Sequence, residues 1–279
     1  MICKTGVKLN LGLRVISRRP DGFHNLETLF VPYGGFGDVL EIVRSDEWSE
    51  TSSYLQERYS GDNFAQAITP DGKLMISIFR DGGVAWDPLK DLTAKAYGLL
   101  NEEFGLPSMK IYLEKKAPVG AGLGGGSADA AAALRMISEI AGLGLDPEAL
   151  AARAARLGSD CAFFIYDEPM IGTGRGEILT PFEIDLSRFR IEVTVPEGIS
   201  VNTADAYRGI VPSVPEKPLR EVLRQHPSSW KKDLVNDFEA IVFRKFPELE
   251  AIKDSLYRRG AVYAAMSGSG SAIFGLFPE

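Results

Sequence analysis

The residues that could do chemistry gather around one segment, Pro118-Val119-Gly120-Ala121-Gly122-Leu123-Gly124-Gly125-Gly126-Ser127-Ala128. Its five glycines lie between a stretch of strand character at 109–114 and one of strong helix character at 128–140, with Ser127 as the expected helix cap. Glycine lets backbone N–H groups approach a phosphate closely, and the N-terminus of the following helix adds a positive dipole. Such a loop serves to hold nucleotide phosphates. Gly120, Gly122 and Gly125 satisfy a G-x-G-x-x-G spacing. A dinucleotide site would also need a second parallel strand ending in an acidic residue about 20 residues on. That distance falls on Asp146, which opens a helix instead. No Gly-Lys-Ser/Thr is present, so the loop is not of the Walker type either.

A second set of polar residues lies near the start of the chain. Residues 6–16 alternate, with Val7, Leu9, Leu11 and Leu13 facing one way and Lys8, Asn10 and Arg14 the other. This spacing predicts a half-buried strand on which Lys8 and Asn10 reach the same ligand. A turn at Arg18-Arg19-Pro20-Asp21-Gly22 then presents Phe23 and His24. Asp160 follows Gly158-Ser159, where by local pattern alone it would cap a helix. With only two histidines and two cysteines, Cys3 and Cys161, neither a His-rich metal centre nor a disulfide framework is expected.

The elements that must position these residues read as a mixture. Strands are expected at 26–31, 38–43, 73–79 and 190–195, and helices at 91–104, 234–246 and 248–259. Asp146-Pro147 opens another helix that Gly158 ends, and the chain closes with a strand, a small-residue loop and a strand over 261–277. The polar stretch 45–61 reads as a surface loop or irregular hairpin. Without βαβα regularity the pattern favours an α+β fold in two lobes, 1–168 and 169–279.

Composition narrows the function classes. The 279 residues are 45% hydrophobic and 25% charged, the balance of an ordinary globular protein, which excludes a disordered or collagenous chain. A net charge of −7, with no Lys/Arg-rich run, argues against general binding to nucleic acid or anionic membranes. No apolar run approaches the ~18 residues of a membrane span. Lys4, Lys8 and Asn10 interrupt any signal-peptide core, so a reduced, cytoplasmic protein is expected.

Residues 118–131 resemble the phosphate-binding signature of the GHMP kinases, which include galactokinase and the homoserine, mevalonate and phosphomevalonate kinases. Further marks follow in order: Lys8-Leu9-Asn10, Asp21-Gly22-Phe23-His24, Gly158-Ser159-Asp160, Gly174-Arg175-Gly176-Glu177, Val201-Asn202-Thr203, Asn236-Asp237-Phe238-Glu239 and Met266-Ser267-Gly268-Ser269-Gly270. The resemblance implies a two-lobed GHMP kinase fold with an active site in the inter-lobe cleft. It also implies transfer of the γ-phosphoryl group of ATP, with Mg²⁺, to the tertiary 2-hydroxyl of a diphosphocytidyl methylerythritol in non-mevalonate isoprenoid synthesis. Asp160 would be the base and Lys8 the cation beside it. Lys8, Asn10, Phe23, His24, Asp160 and Thr203 would bind the cytidyl substrate, and residues 118–128 the ATP phosphates. Phe23 stands where the family usually has Tyr, keeping a stacking face and losing the hydroxyl. Pro88, in Asp87-Pro88-Leu89, stands where the family often has Asn, which removes a donor near the adenine. A homoserine- or mevalonate-type kinase, or an idle nucleotide-binding regulator on the same fold, are the alternatives. No metal ligand is assigned.

Overall fold

A computed structural model describes every residue from Met1 to Glu279. The chain forms two compact units whose segments interleave. The first takes Met1–Val7, Tyr33–Ala117 and Gly124–Asp167; the second takes Lys8–Pro32, Pro118–Leu123 and Glu168–Glu279. The boundary expected at 168 is thus one of several passages, and residues 1–168 do not make a unit of their own.

The early part of the chain runs β1 (Ile2–Lys4), β2 (Val7–Arg18), β3 (His24–Tyr33), β4 (Val39–Arg44), α1 (Ser52–Arg58), β5 (Phe64–Ile68) and β6 (Leu74–Arg80). Next come α2 (Leu92–Phe104), β7 (Met109–Lys115), α3 (Gly125–Ile140), α4 (Pro147–Leu157) and α5 (Phe163–Tyr166). The remainder runs β8 (Met170–Thr173), β9 (Ile178–Pro181), β10 (Phe189–Thr194), α6 (Thr203–Arg208), α7 (Leu219–Leu223) and α8 (Trp230–Asp233). It ends with α9 (Glu239–Lys245), α10 (Pro247–Arg258), β11 (Tyr263–Met266) and β12 (Ile273–Pro278).

In the first unit a five-stranded sheet has the order β1-β4-β7-β6-β5. Only β6 and β7 run parallel, and α2 crosses between them. Asp91 opens α2 by accepting the Thr93 N–H, and Gly105, at φ +67°, closes it in the left-handed region. Helix α3 buries Ala128 and Ala130–133, whose small side chains let it lie close on β4 and α2. Asp146 caps α4 as the sequence predicts.

The second unit holds a sheet of order β2-β3-β8-β9 and another of order β10-β12-β11. Strand β3 pairs antiparallel with β8, Leu29 opposite Ile171, and this pairing draws the early strands into the unit of the late ones. Its core joins Leu13 and Val15 of β2 to Val242, Leu249, Leu256, Met266 and Ile273.

Three expectations are corrected. The helix expected from 234 begins at Glu239, because 235–237 pair with β2 instead: Leu13 N–H donates to Val235 O at 2.9 Å and Asp237 N–H to Leu13 O at 2.8 Å. Strand β2 is buried on both faces rather than one, with Lys8 3% and Asn10 1% exposed. The 45–61 stretch contains α1, which sends Leu55 and Tyr59 into a cluster with Val43, Phe79 and Tyr112. A buried carboxylate on β4 holds that stretch. Glu41 accepts from Ser49 Oγ (2.7 Å), Glu50 N–H (2.7 Å), Thr51 N–H (3.0 Å) and Thr51 Oγ1.

Burial alone would raise the Glu41 pKa, but the Thr51, Ser49 and Glu50 hydrogen bonds outweigh it and hold the group below its ordinary 4.5. A carboxylate depressed in the folded state stabilises at neutral pH, and that contribution disappears as pH falls below 4.5 through the lowered folded value. Glu41→Gln is therefore expected to cost about 1–3 kcal/mol at neutral pH and progressively less in acid. Urea unfolding across that range checks it; an equal cost at both ends would show that the charge of Glu41 contributes nothing.

Candidate active site

Lys8 and Asn10 are held from several directions. Lys8 N–H donates to Leu123 O (2.8 Å), while its ammonium donates to Asn10 Oδ1 and to Gly122 O (2.9 Å). Asn10 Nδ2 donates to Thr28 Oγ1 at 3.0 Å, which fixes the amide orientation on β2. Burying an ammonium is costly unless hydrogen bonds replace its water, and here a backbone carbonyl of the glycine loop is one replacement. The expected common face of Lys8 and Asn10 is thus present, covered by the loop it was expected to face.

Within the loop, Gly120, Gly122 and Gly124 have φ of +72°, +77° and +74°, a region side chains rarely adopt. Gly122 is the tightest position. A Cβ there would stand 2.2 Å from Ser267 O, so the glycine loop and the 266–270 loop meet backbone to backbone. Gly125 and Gly126 have no such requirement: a Cβ on Gly126 would meet nothing within 4 Å, and one on Gly125 only ordinary contacts. Helix α3 begins at Gly125 with Gly124 as its cap and no side chain capping it. Ser127, expected as the cap, sits in the first turn instead. The N–H groups of this turn have no partner in the helix and carry its positive dipole.

The 266–270 loop has a support of its own, which sequence reasoning noted as a motif without a role. Asn236 Nδ2 donates to Met266 O (2.7 Å) and Gly268 O (2.8 Å), and Glu239 Oε1 accepts the Met266 N–H at 2.8 Å. Ser267 Oγ donates to Gly122 O at 3.1 Å and accepts the Asn10 N–H at 3.3 Å. Two motifs near the C-terminus therefore hold β2 and the glycine loop in register. Ser269 Oγ and Thr203 Oγ1 share a hydrogen bond of 2.8 Å, which ties the first turn of α6 to the same loop.

Asp160 lies in the first unit, on the half-buried turn between α4 and α5. It is not a helix cap: the residue capping α5 is Ala162. Its neighbour Cys161 is fully buried, and that burial raises the thiol pKa to about 11, with Ser127 opposing the rise. Lys8 belongs to the second unit with Pro118–Leu123, and Asp160 to the first unit with the start of α3.

Phe23 is 53% exposed, with the Arg175 guanidinium 5.0 Å from its ring centroid. Its backbone N–H is held by Asp21 Oδ1 at 3.1 Å. The ring is therefore presented rather than packed in a core. His24 stacks on Tyr207 of α6 at 5.0 Å and 21°. Tyr207 was not singled out from sequence, although it lies one helical turn beyond Thr203 and so shares its face. Burial lowers the His24 pKa below its ordinary 6.5, and the Arg18 charge lowers it further, so the ring is neutral at pH 7. No three His, Cys, Asp or Glu side chains gather to hold a metal ion.

Known proteins are similar to this chain in sequence and fold. The profile of the GHMP kinases N terminal domain matches residues 91–168, and that of the GHMP kinases C terminal domain residues 218–279. The 4-diphosphocytidyl-2-C-methyl-D-erythritol kinase of Parabacteroides distasonis is 41% identical over 100% of this chain and 92% of its own. That of Bacteroides fragilis is 42% identical over 100% of this chain and 93% of its own. A crystal structure of 4-(cytidine 5'-diphospho)-2C-methyl-D-erythritol kinase superposes with a TM-score of 0.74 at 32% identity, covering 99% of this chain and 90% of that one. A glycine loop set on a helix N-terminus, a buried lysine bonded to that loop and full-length relatives of one kind lead to one conclusion: the chain belongs to the GHMP kinase family and is a small-molecule kinase.

Proposed function

We propose that the protein transfers the γ-phosphoryl group of ATP to the tertiary 2-hydroxyl of 4-diphosphocytidyl-2-C-methyl-D-erythritol, in the non-mevalonate route to isoprenoid precursors. The names of relatives at about 40% identity over the whole chain support the substrate. The observation that carries the chemistry is the bond from Lys8 Nζ to Gly122 O, which fixes a cation on the phosphate loop at 2.9 Å.

Phosphoryl transfer needs positioning and charge stabilisation more than covalent help. In this reading residues 118–128 cradle the ATP phosphates on backbone N–H groups and on the α3 dipole. Asp160 takes the proton of the substrate hydroxyl as its oxygen bonds to the γ-phosphorus and the bond to the β,γ-bridging oxygen breaks, releasing ADP. Lys8 neutralises charge on the moving phosphoryl group and on the developing alkoxide. Asn10, pinned by Thr28, and Thr203, pinned by Ser269, orient the substrate. Phe23 offers a stacking face for cytosine, and the neutral His24 ring can both donate to and accept from its edge. Mg²⁺ suits this donor set without a protein cage, because phosphate oxygens and water supply most of its ligands when it travels with a triphosphate. Bound there, it would add charge neutralisation across the phosphates.

An ATP-dependent assay across the cytidyl substrate, homoserine and mevalonate, read by mass spectrometry, is expected to add one phosphoryl group to the cytidyl compound alone. Phosphorylation of either other alcohol without the cytidyl one would overturn the reading. Asp160→Asn keeps the shape and is expected to lower kcat by roughly 10²–10⁴ while nucleotide binding persists. Near-normal turnover would place the base elsewhere. Phe23→Ala is expected to raise KM for the cytidyl substrate roughly 5- to 150-fold, the equivalent of about 1–3 kcal/mol of stacking. Because the ring is more than half exposed, the melting temperature should hold. A large fall in melting temperature with parallel loss of ATP affinity would instead make Phe23 a packing residue.

A further inference from the structure

In the first unit a lysine and two aspartates are buried together beneath the start of α3. Lys115 is 7% exposed, Asp38 0% and Asp129 1%. The Lys115 ammonium donates to Asp38 Oδ2 and to Asp129 Oδ2, the latter at 2.6 Å. Thr5 links the Asp129 carboxylate to the Asp38 backbone: its Oγ1 donates to Asp129 Oδ1 (2.9 Å) and accepts the Asp38 N–H (3.1 Å). The second oxygen of Asp38 accepts both the Lys116 N–H (2.6 Å) and the Ala117 N–H (2.7 Å).

Those two N–H groups belong to the last residues before the glycine loop, and Asp129 lies on α3 just after it. Gly125 stands directly over the group: a Cβ there would be 3.6 Å from Asp38 Oδ2 and 3.9 Å from Lys115 Nζ. We propose that Asp38 is a positioning residue for the phosphate loop, with Lys115 and Asp129 completing a buried clamp on the loop's two ends. The residues of the reaction already described do not include any of the three.

The chemistry of the cluster suits that task better than a task in stability. A buried ion pair seldom outweighs the cost of drying its charges, and apolar side chains of equal volume would often serve stability as well. What apolar side chains cannot do is accept two backbone N–H groups and fix the direction in which the chain leaves β7. Strong burial raises the Asp129 pKa, with Lys115 opposing the rise and the Asp38 charge adding to it.

Asp38→Ala removes both loop hydrogen bonds yet leaves Lys115 paired with Asp129, whereas Asp38→Asn keeps an oxygen for the Lys116 and Ala117 N–H groups. Calorimetric titration with AMP-PNP·Mg²⁺, and separately with cytidine 5'-diphosphate, distinguishes positioning from general damage. Asp38→Ala is expected to weaken AMP-PNP about tenfold or more, with Asp38→Asn recovering to within about threefold of wild type. Cytidine diphosphate affinity should stay within about twofold in both variants. AMP-PNP affinity in Asp38→Ala within about twofold of wild type, or equal loss of both ligands, would overturn the proposal. Should Asp38→Ala lose its cooperative melt, Thr5→Val decides: it removes the hydroxyl bridge and leaves both carboxylates on Lys115. A drop of about threefold or more in AMP-PNP affinity alone supports the clamp, and unchanged affinity overturns it. The inference rests on the reading that the loop holds nucleotide phosphates. Wild-type protein that fails to bind AMP-PNP would overturn both, while wild-type binding with an unaffected Asp38→Ala overturns only the clamp. If the wild type ignores cytidine diphosphate, only the substrate reading fails, and the AMP-PNP result still decides, with the melting temperature as the measure of global damage.

Discussion

The approach of two backbones at Gly122 and Ser267 constrains much of the second unit. No side chain fits between them, since a Cβ on Gly122 would overlap Ser267 O at 2.2 Å. Because they touch, one carbonyl, Gly122 O, accepts from both Lys8 Nζ and Ser267 Oγ. The position of Lys8 is therefore set by a loop whose own path depends on residues far along the chain. Asn236 and Glu239 supply that path by holding the carbonyls and N–H of 266–268. A glycine without a neighbour so close would serve only as a flexible joint, as Gly126 could.

Buried polar groups do the remaining positioning, and each has partners. Asn10 uses its carbonyl for Lys8 and its amide for Thr28; Asn236 uses both amide hydrogens on carbonyls and its oxygen on the Phe238 N–H. No buried side-chain nitrogen or oxygen is left without a partner. Unsatisfied, any of them would cost about 1–3 kcal/mol, so the networks form completely or not at all. That cooperativity gives a lysine a defined direction inside a protein, where a surface lysine would sample many rotamers.

Elements with local causes were readable in the sequence. Asp91 and Asp146 cap the helices they were expected to cap, and the 261–277 strand-loop-strand appears as β11 and β12. Misreadings came where distant partners overrule local preference. Residues 235–237 carry no strand pattern and leave the helix because β2 offers them hydrogen bonds. The 45–61 stretch reads as polar because the apolar residues Leu55 and Tyr59 face inward from a single helix turn, and Glu41 organises its start from another element.

By itself the sequence determined the type of loop at 118–128, the alternation that puts Lys8 and Asn10 on one face, and the order of motifs that marks a GHMP kinase. The loop, the alternation and each single motif depend on residues within a few positions of one another, where backbone geometry and side-chain period suffice. Only the tertiary structure decided which glycines are indispensable, that Asp160 is not a cap, that Phe23 is presented while His24 stacks on Tyr207, and that Asp38 joins Lys115 and Asp129. The reason is physical. A buried polar group takes whichever partner the fold delivers, and for Asn10 and Ser267 that partner lies 257 residues away, beyond the reach of any spacing rule.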